Sequence, residues 1–462
     1  MRESAEPEVA VPSRIRPFHA FLAPSAFRLA IAALLTPLIV AAQPAATPLT
    51  PAERAVVRAV DSHNAEALIL LERIVNINSG TMNFAGVRRV AEVLRPQLDA
   101  LGFTTRWVDG AAFQRAGHLI AEHPGPGQKL LLIGHLDTVF EPSSPFQRFE
   151  RLTDSTARGP GVIDMKGGDV IIVYALRALK DAGLLERMNV TAVFDGDEED
   201  AGHPHDAARR ALVDAARGAA AAIGFEDGAG DPRTAVISRR GATTWTLRTT
   251  GNPGHASQIF RADIGAGAVF EAARILGEFY QKLSGEQYLA FNPGLAIGGT
   301  SVTLDSTLSS GSASGKTNVI AERMTVTGDM RTLSPEQLAR SEKAMRDIVA
   351  HHLPQTSAEI TFDDGYPPMA PSDGNRRLLA LYDKAARDLG TGAVAAVDPS
   401  RAGAADVAFI AGVVPMIIDG VGLSGADDHS EKETADLRML PVQTKRAALV
   451  LYRLTLGAAV QP

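Results

Sequence analysis

Leu130-Leu131-Leu132-Ile133-Gly134-His135-Leu136-Asp137-Thr138-Val139 is the stretch that decides the fold. Its first four residues form an apolar run that is bounded by polar residues and too brief for a helix, so it reads as a buried parallel strand. That strand delivers an imidazole, His135, and a carboxylate, Asp137, to its C-terminal end. In an open α/β sheet this is the end where ligands and chemistry collect.

Four further segments bring matching groups toward the same edge. Residues 159–168 (GPGVIDMKGG) are turn-rich and place Asp164 just before an apolar helix at 170–179. Residues 189–194 read as a strand emptying into Asp195-Gly196-Asp197-Glu198-Glu199-Asp200, a carboxylate run that repels itself strongly unless a cation sits within it. Residues 220–225 read as a strand ending in Glu226-Asp227-Gly228, and residues 413–418 as one followed by the loop carrying His429. His135, Asp164, Glu199, Glu226 and His429, with Glu198 beside them, form an N/O set suited to zinc, and one carboxylate could bridge two metals. Asp195, Asp197, Asp200, His203 and His205 read as solvated loop residues.

The segments GHLDTV, GPGVIDMKGG, GDEED, GFEDG and DDHSEKE, in this order, resemble the metal-site motifs of the dinuclear zinc hydrolases. That family includes glutamate carboxypeptidases, aminoacylases and succinyl-diaminopimelate desuccinylases. The resemblance runs from about residue 52 to the C-terminus and is nearest to the bacterial glutamate carboxypeptidases. It implies two zinc ions per chain, with Co2+ or Mn2+ as substitutes. Asp164 would bridge them, His135 and Glu226 would hold one, and Glu199 and His429 the other. Glu198 matches the family's general base, and Asp137 matches the carboxylate that orients the first histidine. In physical terms, the metals acidify a shared water and polarise the amide carbonyl. Glu198 then takes the proton and passes it to the leaving nitrogen. Asp137 would bond the free ring nitrogen of His135 and fix its tautomer.

Between the fourth and fifth motifs the pattern changes. Residues 243–249, 301–308, 324–331 and 358–362 read as strands, and 263–283 and 335–351 as helices. Two helices on one antiparallel sheet make an α+β, ferredoxin-like unit with its own core. Its candidate residues come by resemblance. Gly251-Asn252-Pro253-Gly254-His255-Ala256-Ser257 is similar to the family's lid motif, in which the histidine bonds the developing oxyanion. Asn318 and Arg331 match residues that grip the substrate's terminal carboxylate, for which an Arg fork is suited. In Arg401-Ala402-Gly403-Ala404-Ala405-Asp406, Gly403 and Asp406 match a substrate-binding turn of the glutamate-specific relatives. Ala405 stands where they carry a hydroxyl, and a lost hydroxyl removes a donor for a side-chain carboxylate.

Length and charge agree. A chain of 462 residues exceeds one ordinary core. A net charge of −7 with dispersed Lys and Arg gives no nucleic-acid surface, and the absence of cysteine excludes disulfides and thiolate ligands. Arg14, Arg16 and Arg28 precede the apolar stretch 29–40 and the small residues Ala41 and Ala42, the three parts of a cleavable secretory signal. Pro37 and the shortness of that stretch disfavour a membrane anchor.

The expected organisation is a signal peptide at 1–42 and a Pro-rich linker at 43–51. A mainly parallel α/β zinc domain at 52–240 and 364–462 would then be interrupted by a lid and dimerisation domain at 241–363. The expected function is a secreted or periplasmic dizinc carboxypeptidase acting on a small peptide or N-acyl amino acid. No membrane association is expected after signal cleavage, and a homodimer is expected to form through the lid, using a sheet edge at 243–249 or 301–308. An aminoacylase or general N-acyl amino acid amidohydrolase is the alternative on the same scaffold, and a non-catalytic peptide-binding homologue a third reading.

Overall fold

A computed structural model describes residues 46–305 and 309–456, so the signal-peptide and linker readings for residues 1–45 lie outside it. Among the described residues no helix is long and apolar enough to cross a membrane.

A six-stranded sheet organises the metal-motif part. Its order is Thr104–Asp109, Gly117–His123, Asn189–Asp195, Lys129–His135, Ala219–Gly224, Ile417–Ile418. The last four run parallel, and the first two add an antiparallel edge. Lys129–His135 sits in the middle, paired on both sides, which is why its sequence is apolar without alternation. Leu130 and Leu132 pack toward helices Pro51–Val75, Lys166–Asp181 and Met439–Thr455, while Leu131 and Ile133 face Leu212, Val407 and Ile410 on the opposite side. The first helix starts at a capping box, with Thr50 and Glu53 exchanging bonds and Pro51 in the first turn. Helix Lys166–Asp181 is buried almost all round between sheet and outer helices. Its Gly168 lies so near the strand-end carbonyl of Phe225 that a Cβ there would come within 2.1 Å of it.

The inserted unit is a four-stranded antiparallel sheet in the order Ala290–Gly299, Arg323–Arg331, Ala242–Gly251, Thr356–Tyr366. With helices Ala268–Leu283 and Pro335–Val349 the chain order is βαββαβ, the ferredoxin-like arrangement. Its core is separate, with Trp245 fully buried and edge-on to Phe279 at 6.0 Å. Two expectations are corrected here. Strand Ala242–Gly251 is central, with a partner on each side, so residues 243–249 offer no free edge. Residues 301–304 form a small hairpin with Gly311–Ser314, and residues 306–308 lie outside the described residues. The fourth strand of the sheet is instead Ala290–Gly299, hidden in sequence because Pro293 and Gly294 occupy a bulge.

Candidate active site

The three central parallel strands end at one edge, where His135 is the last residue of its strand and the loops leaving the other two carry Glu198, Glu199 and Glu226. Asp164 comes from the turn before helix Lys166–Asp181, and His429 from the loop after strand Ile417–Ile418. The Asp164 carboxylate lies between the two imidazoles. Its Oδ1 is 3.1 Å from His135 Nε2, and its Oδ2 is 2.9 Å from His429 Nε2. Glu226 Oε1 lies 3.5 Å from His135 Nε2, and Glu199 Oε2 lies 3.1 Å from His429 Nε2. All five residues of the sequence-derived set are therefore together, grouped as two halves sharing Asp164.

The tautomer of His135 gives this arrangement a chemical meaning. Its Nδ1 faces the Asp137 carbonyl at 3.1 Å, an acceptor only, so Nδ1 carries the hydrogen. Nε2 is turned toward the Asp164 and Glu226 carboxylates. Burial acts to lower His135, but Glu226, Asp137 and Asp164 outweigh it and hold the ring well above its ordinary value, so positive charge belongs between these groups, as a proton or as a metal ion. The carboxylates say the same. Burial, then the charge of Asp164, pushes Glu199 up to about 8 and Glu226 up to about 7. Burial and the Glu226 charge carry Glu198 well above the usual carboxylate range. Hydrogen bonds to Asp164 and Glu199 push His429 up to about 11. Glu199 Oε1 is buried without a hydrogen-bond partner. The backbone at His429 is left-handed, with φ of 56°, a conformation of the kind that collects at functional sites. A nitrogen and oxygen donor set with this excess of negative charge fits divalent cations.

Asp137 is buried beside His135 and does more than the sequence suggests. Its carboxylate lies 3.5 Å from His135 Nδ1, while Oδ1 accepts the Glu198 N–H at 3.0 Å and Oδ2 the Glu199 N–H at 3.1 Å. Thr81 Oγ1 also donates to Oδ2, at 2.7 Å. Glu433 was not legible as a site residue. Buried, it accepts from the backbone N–H groups of Gly161, Ile163 and Asp164 at 2.8 to 3.2 Å and so fixes the Asp164 turn. Asp428 adds a carboxylate within reach of Asp164 and His429. The acidic loop departs from its solvated reading, since Asp195 and Asp197 are fully buried and only Asp200 is exposed.

A cavity of about 510 Å³ opens beside the cluster, lined among others by Asp164, Glu198, Glu226, Arg401, Gly403 and His429. Arg239 also lines it, with its guanidinium held by Asp419 at 2.7 Å. His255, Asn318 and Arg331 belong to the inserted unit and are not among these lining residues. His255 and Asn318 are nevertheless brought together, since Ala256 N–H donates to the Asn318 carbonyl at 2.9 Å and His255 bridges Val319. The Arg331 guanidinium is paired with Asp329 at 2.8 Å. The His203 and His205 rings pack against each other, tilted, at 4.3 Å, and His205 opens the short helix His205–Ala208 and is not a loop residue.

Peptidase family M20/M25/M40 matches residues 131–453, a span that begins in the central strand and takes in all five clustered residues. The chain belongs to that family. It is a metallopeptidase, as the five motifs implied. Carboxypeptidase G2 of Pseudomonas sp. (strain RS-16) is 26% identical over 441 residues, covering 94% of this chain and 99% of that protein. Among solved structures, aminopeptidase PepT from Bacillus cereus ATCC 10987 superposes with a TM-score of 0.67 at 18% identity, over 85% of this chain and 98% of its own. The Bacillus subtilis YXEP protein, a dinuclear metal binding peptidase of the M20 family, gives a TM-score of 0.59 at 16% identity, over 86% and 99%. These two likenesses show the two-part fold.

Proposed function

We propose that this chain is a dizinc carboxypeptidase that releases a C-terminal amino acid from a small peptide or N-acyl conjugate. The observation that carries the proposal is the Asp164 carboxylate facing His135 with one oxygen and His429 with the other. His135 and Glu226 would hold one ion, Glu199 and His429 the other, and Asp164 both. Bound there, zinc supplies an acidified water and polarises the scissile carbonyl. Glu198 lies on the cavity wall beside the proposed ligands, where its carboxylate would take a proton from the attacking water and return it to the leaving nitrogen. Asp137, gripping the N–H groups of Glu198 and Glu199, holds base and ligand in one frame.

The carboxypeptidase reading is supported by the similarity to carboxypeptidase G2 over nearly the whole chain. Arg331 and Asn318 would clamp the substrate carboxylate, Gly403 would line its path, and His255 would donate to the oxyanion. These residues reach a substrate only if the inserted unit closes over the cavity or a second chain supplies them. A homodimer through that unit is part of the proposal. Strand Ala290–Gly299 has one edge without a strand partner among the described residues, and helix Ala268–Leu283 of the same unit exposes Val269, Phe270 and Tyr280.

The test joins metal content to substrate choice. Purified protein is expected to hold about two zinc ions per chain, to lose activity to a chelator, and to regain it with Zn2+, Co2+ or Mn2+. N-acyl amino acids with free carboxylates should be cleaved and their amides spared. Full activity in metal-stripped protein would end the dizinc reading, and equal rates on free and amidated substrates would favour a general amidohydrolase.

A further inference from the structure

Behind the acidic loop lies a buried polar cluster that the proposed chemistry does not use. Arg209 is 1% exposed; both terminal nitrogens of its guanidinium donate hydrogen bonds, and Nε faces Asp406 as an ion pair. Nη1 lies 2.6 Å from Asp197 Oδ1, and Nε lies 2.7 Å from Asp406 Oδ1. Nη2 donates to the Asp197 carbonyl at 3.0 Å and to the Tyr366 hydroxyl at 2.8 Å. The Tyr366 hydroxyl in turn donates to the Glu198 carbonyl at 2.5 Å. The second oxygen of Asp197 accepts the Gly202 N–H at 2.8 Å, closing the loop on itself. A buried guanidinium is costly unless its donors meet acceptors, and the bonds to Asp197 and Tyr366 hold Arg209 in place here.

Its position gives it a task. In front, Asp137 takes the N–H groups of Glu198 and Glu199. Behind, Tyr366 takes the Glu198 carbonyl. Both peptide planes of Glu198 are thus clamped, and its side-chain torsions are what remain to move. Tyr366 is also the last residue of the inserted sheet, paired with Ala242 where the chain crosses between the two parts. There Arg239 and Met369 exchange backbone bonds at 2.9 Å, and the Tyr366 ring stands edge-on to Phe409 at 5.0 Å.

We infer that Arg209 and Tyr366 are positioning residues that hold the peptide of Glu198 and tie it to the junction with the inserted unit. The inference rests on the reading of Glu198 as base. A general base must stay within hydrogen-bond reach of its proton donor, and displacements well under 1 Å are costly in rate. Tyr366→Phe removes one hydroxyl and leaves the ring on Phe409. With an N-acetylated amino acid as substrate, it is expected to lower kcat by about 10-fold or more while KM and zinc per chain stay at wild-type values. In a Glu198→Gln background the same change should cost nothing further, because the group it positions is already gone. Arg209→Lys keeps the charge but loses the planar fork that spreads donors over Asp197, Asp406 and Tyr366, and should repeat the kcat loss; where it fails to fold, Tyr366→Phe decides. A wild-type kcat in Tyr366→Phe, a parallel loss of zinc, or an undiminished effect in the Glu198→Gln background would each overturn the inference alone. A wild-type rate in Glu198→Gln itself would remove the base reading, and the inference with it.

Discussion

Asp137 and Glu198 meet side chain to backbone, the Asp137 Oδ1 accepting the Glu198 N–H at 3.0 Å. The neighbouring oxygen of the same carboxylate accepts from Glu199 at 3.1 Å, and the Asp137 carboxylate is buried next to His135. Asp137→Asn keeps the shape and replaces one acceptor by an NH2 that must face a backbone N–H. An unsatisfied pair of donors in a buried site costs about 1–3 kcal/mol. The expected result is a fall of about 10- to 100-fold in kcat or in zinc affinity, as for other groups that orient a metal ligand. Steady-state kinetics with parallel metal analysis checks it, and an unchanged variant would leave Asp137 without a role in the frame.

Glu198 and Glu199 are adjacent yet differently placed. Glu199 faces His429 at 3.1 Å, whereas Glu198 lines the cavity. Glu198→Gln is expected to keep zinc near the wild-type content and to lower kcat by about 100-fold or more. Glu199→Ala should instead empty part of the metal site. Equal metal loss in both variants, read by mass spectrometry of the intact protein, would dissolve the distinction.

Arg331 sits at a strand end with its guanidinium against Asp329 at 2.8 Å, about a third exposed and able to exchange that partner for a substrate carboxylate. Arg331→Ala is expected chiefly to raise KM for N-acyl amino acids with free carboxylates and to leave the amidated analogues nearly unaffected. A variant weakened equally on both would place the carboxylate clamp elsewhere, with Arg401 on the cavity wall as the next residue to change.

The parallel strand at Leu130–Ile133 and the five clustered residues were legible because each motif is local: a short apolar run, then a ligand within a few residues. What was not legible depended on distant partners. Whether residues 243–249 form an edge or a centre is set by pairing with strands some eighty and over a hundred residues later, not by their own alternation. Asp197 reads as a solvent-exposed acid until Arg209 folds back onto it at 2.6 Å. Glu433 carries no signal beyond its nearness to His429, and its role appears only when three N–H groups of the Asp164 turn converge on it. Strand Ala290–Gly299 was concealed by Pro293 and Gly294, which punctuate the sequence as a turn does but occupy a bulge.

Far from the site, Arg453 of the last helix joins two others. Its Nε lies 2.8 Å from Glu53 in the first helix, and its Nη2 lies 2.8 Å from Asp388 at the end of helix Asp373–Asp388. Burial acts to raise both carboxyls. For Glu53 it is outweighed by the Thr50 N–H and Arg453, and for Asp388 by Lys384, the Thr47 N–H and Arg453, so both are held below their ordinary values. A depressed carboxylate stabilises the fold above its unfolded pKa, near 4, and that contribution is lost as pH falls through the folded value. Arg453→Met should therefore lower stability at pH 7 by about 1 kcal/mol, a modest figure because the pairs are partly solvated. The gap from wild type should narrow below about pH 4 as the carboxylates take up protons in both proteins. Urea unfolding at pH 7 and pH 3 measures it. A gap that stayed constant between the two pH values would assign the effect to lost packing of the Arg453 stem instead of its charge.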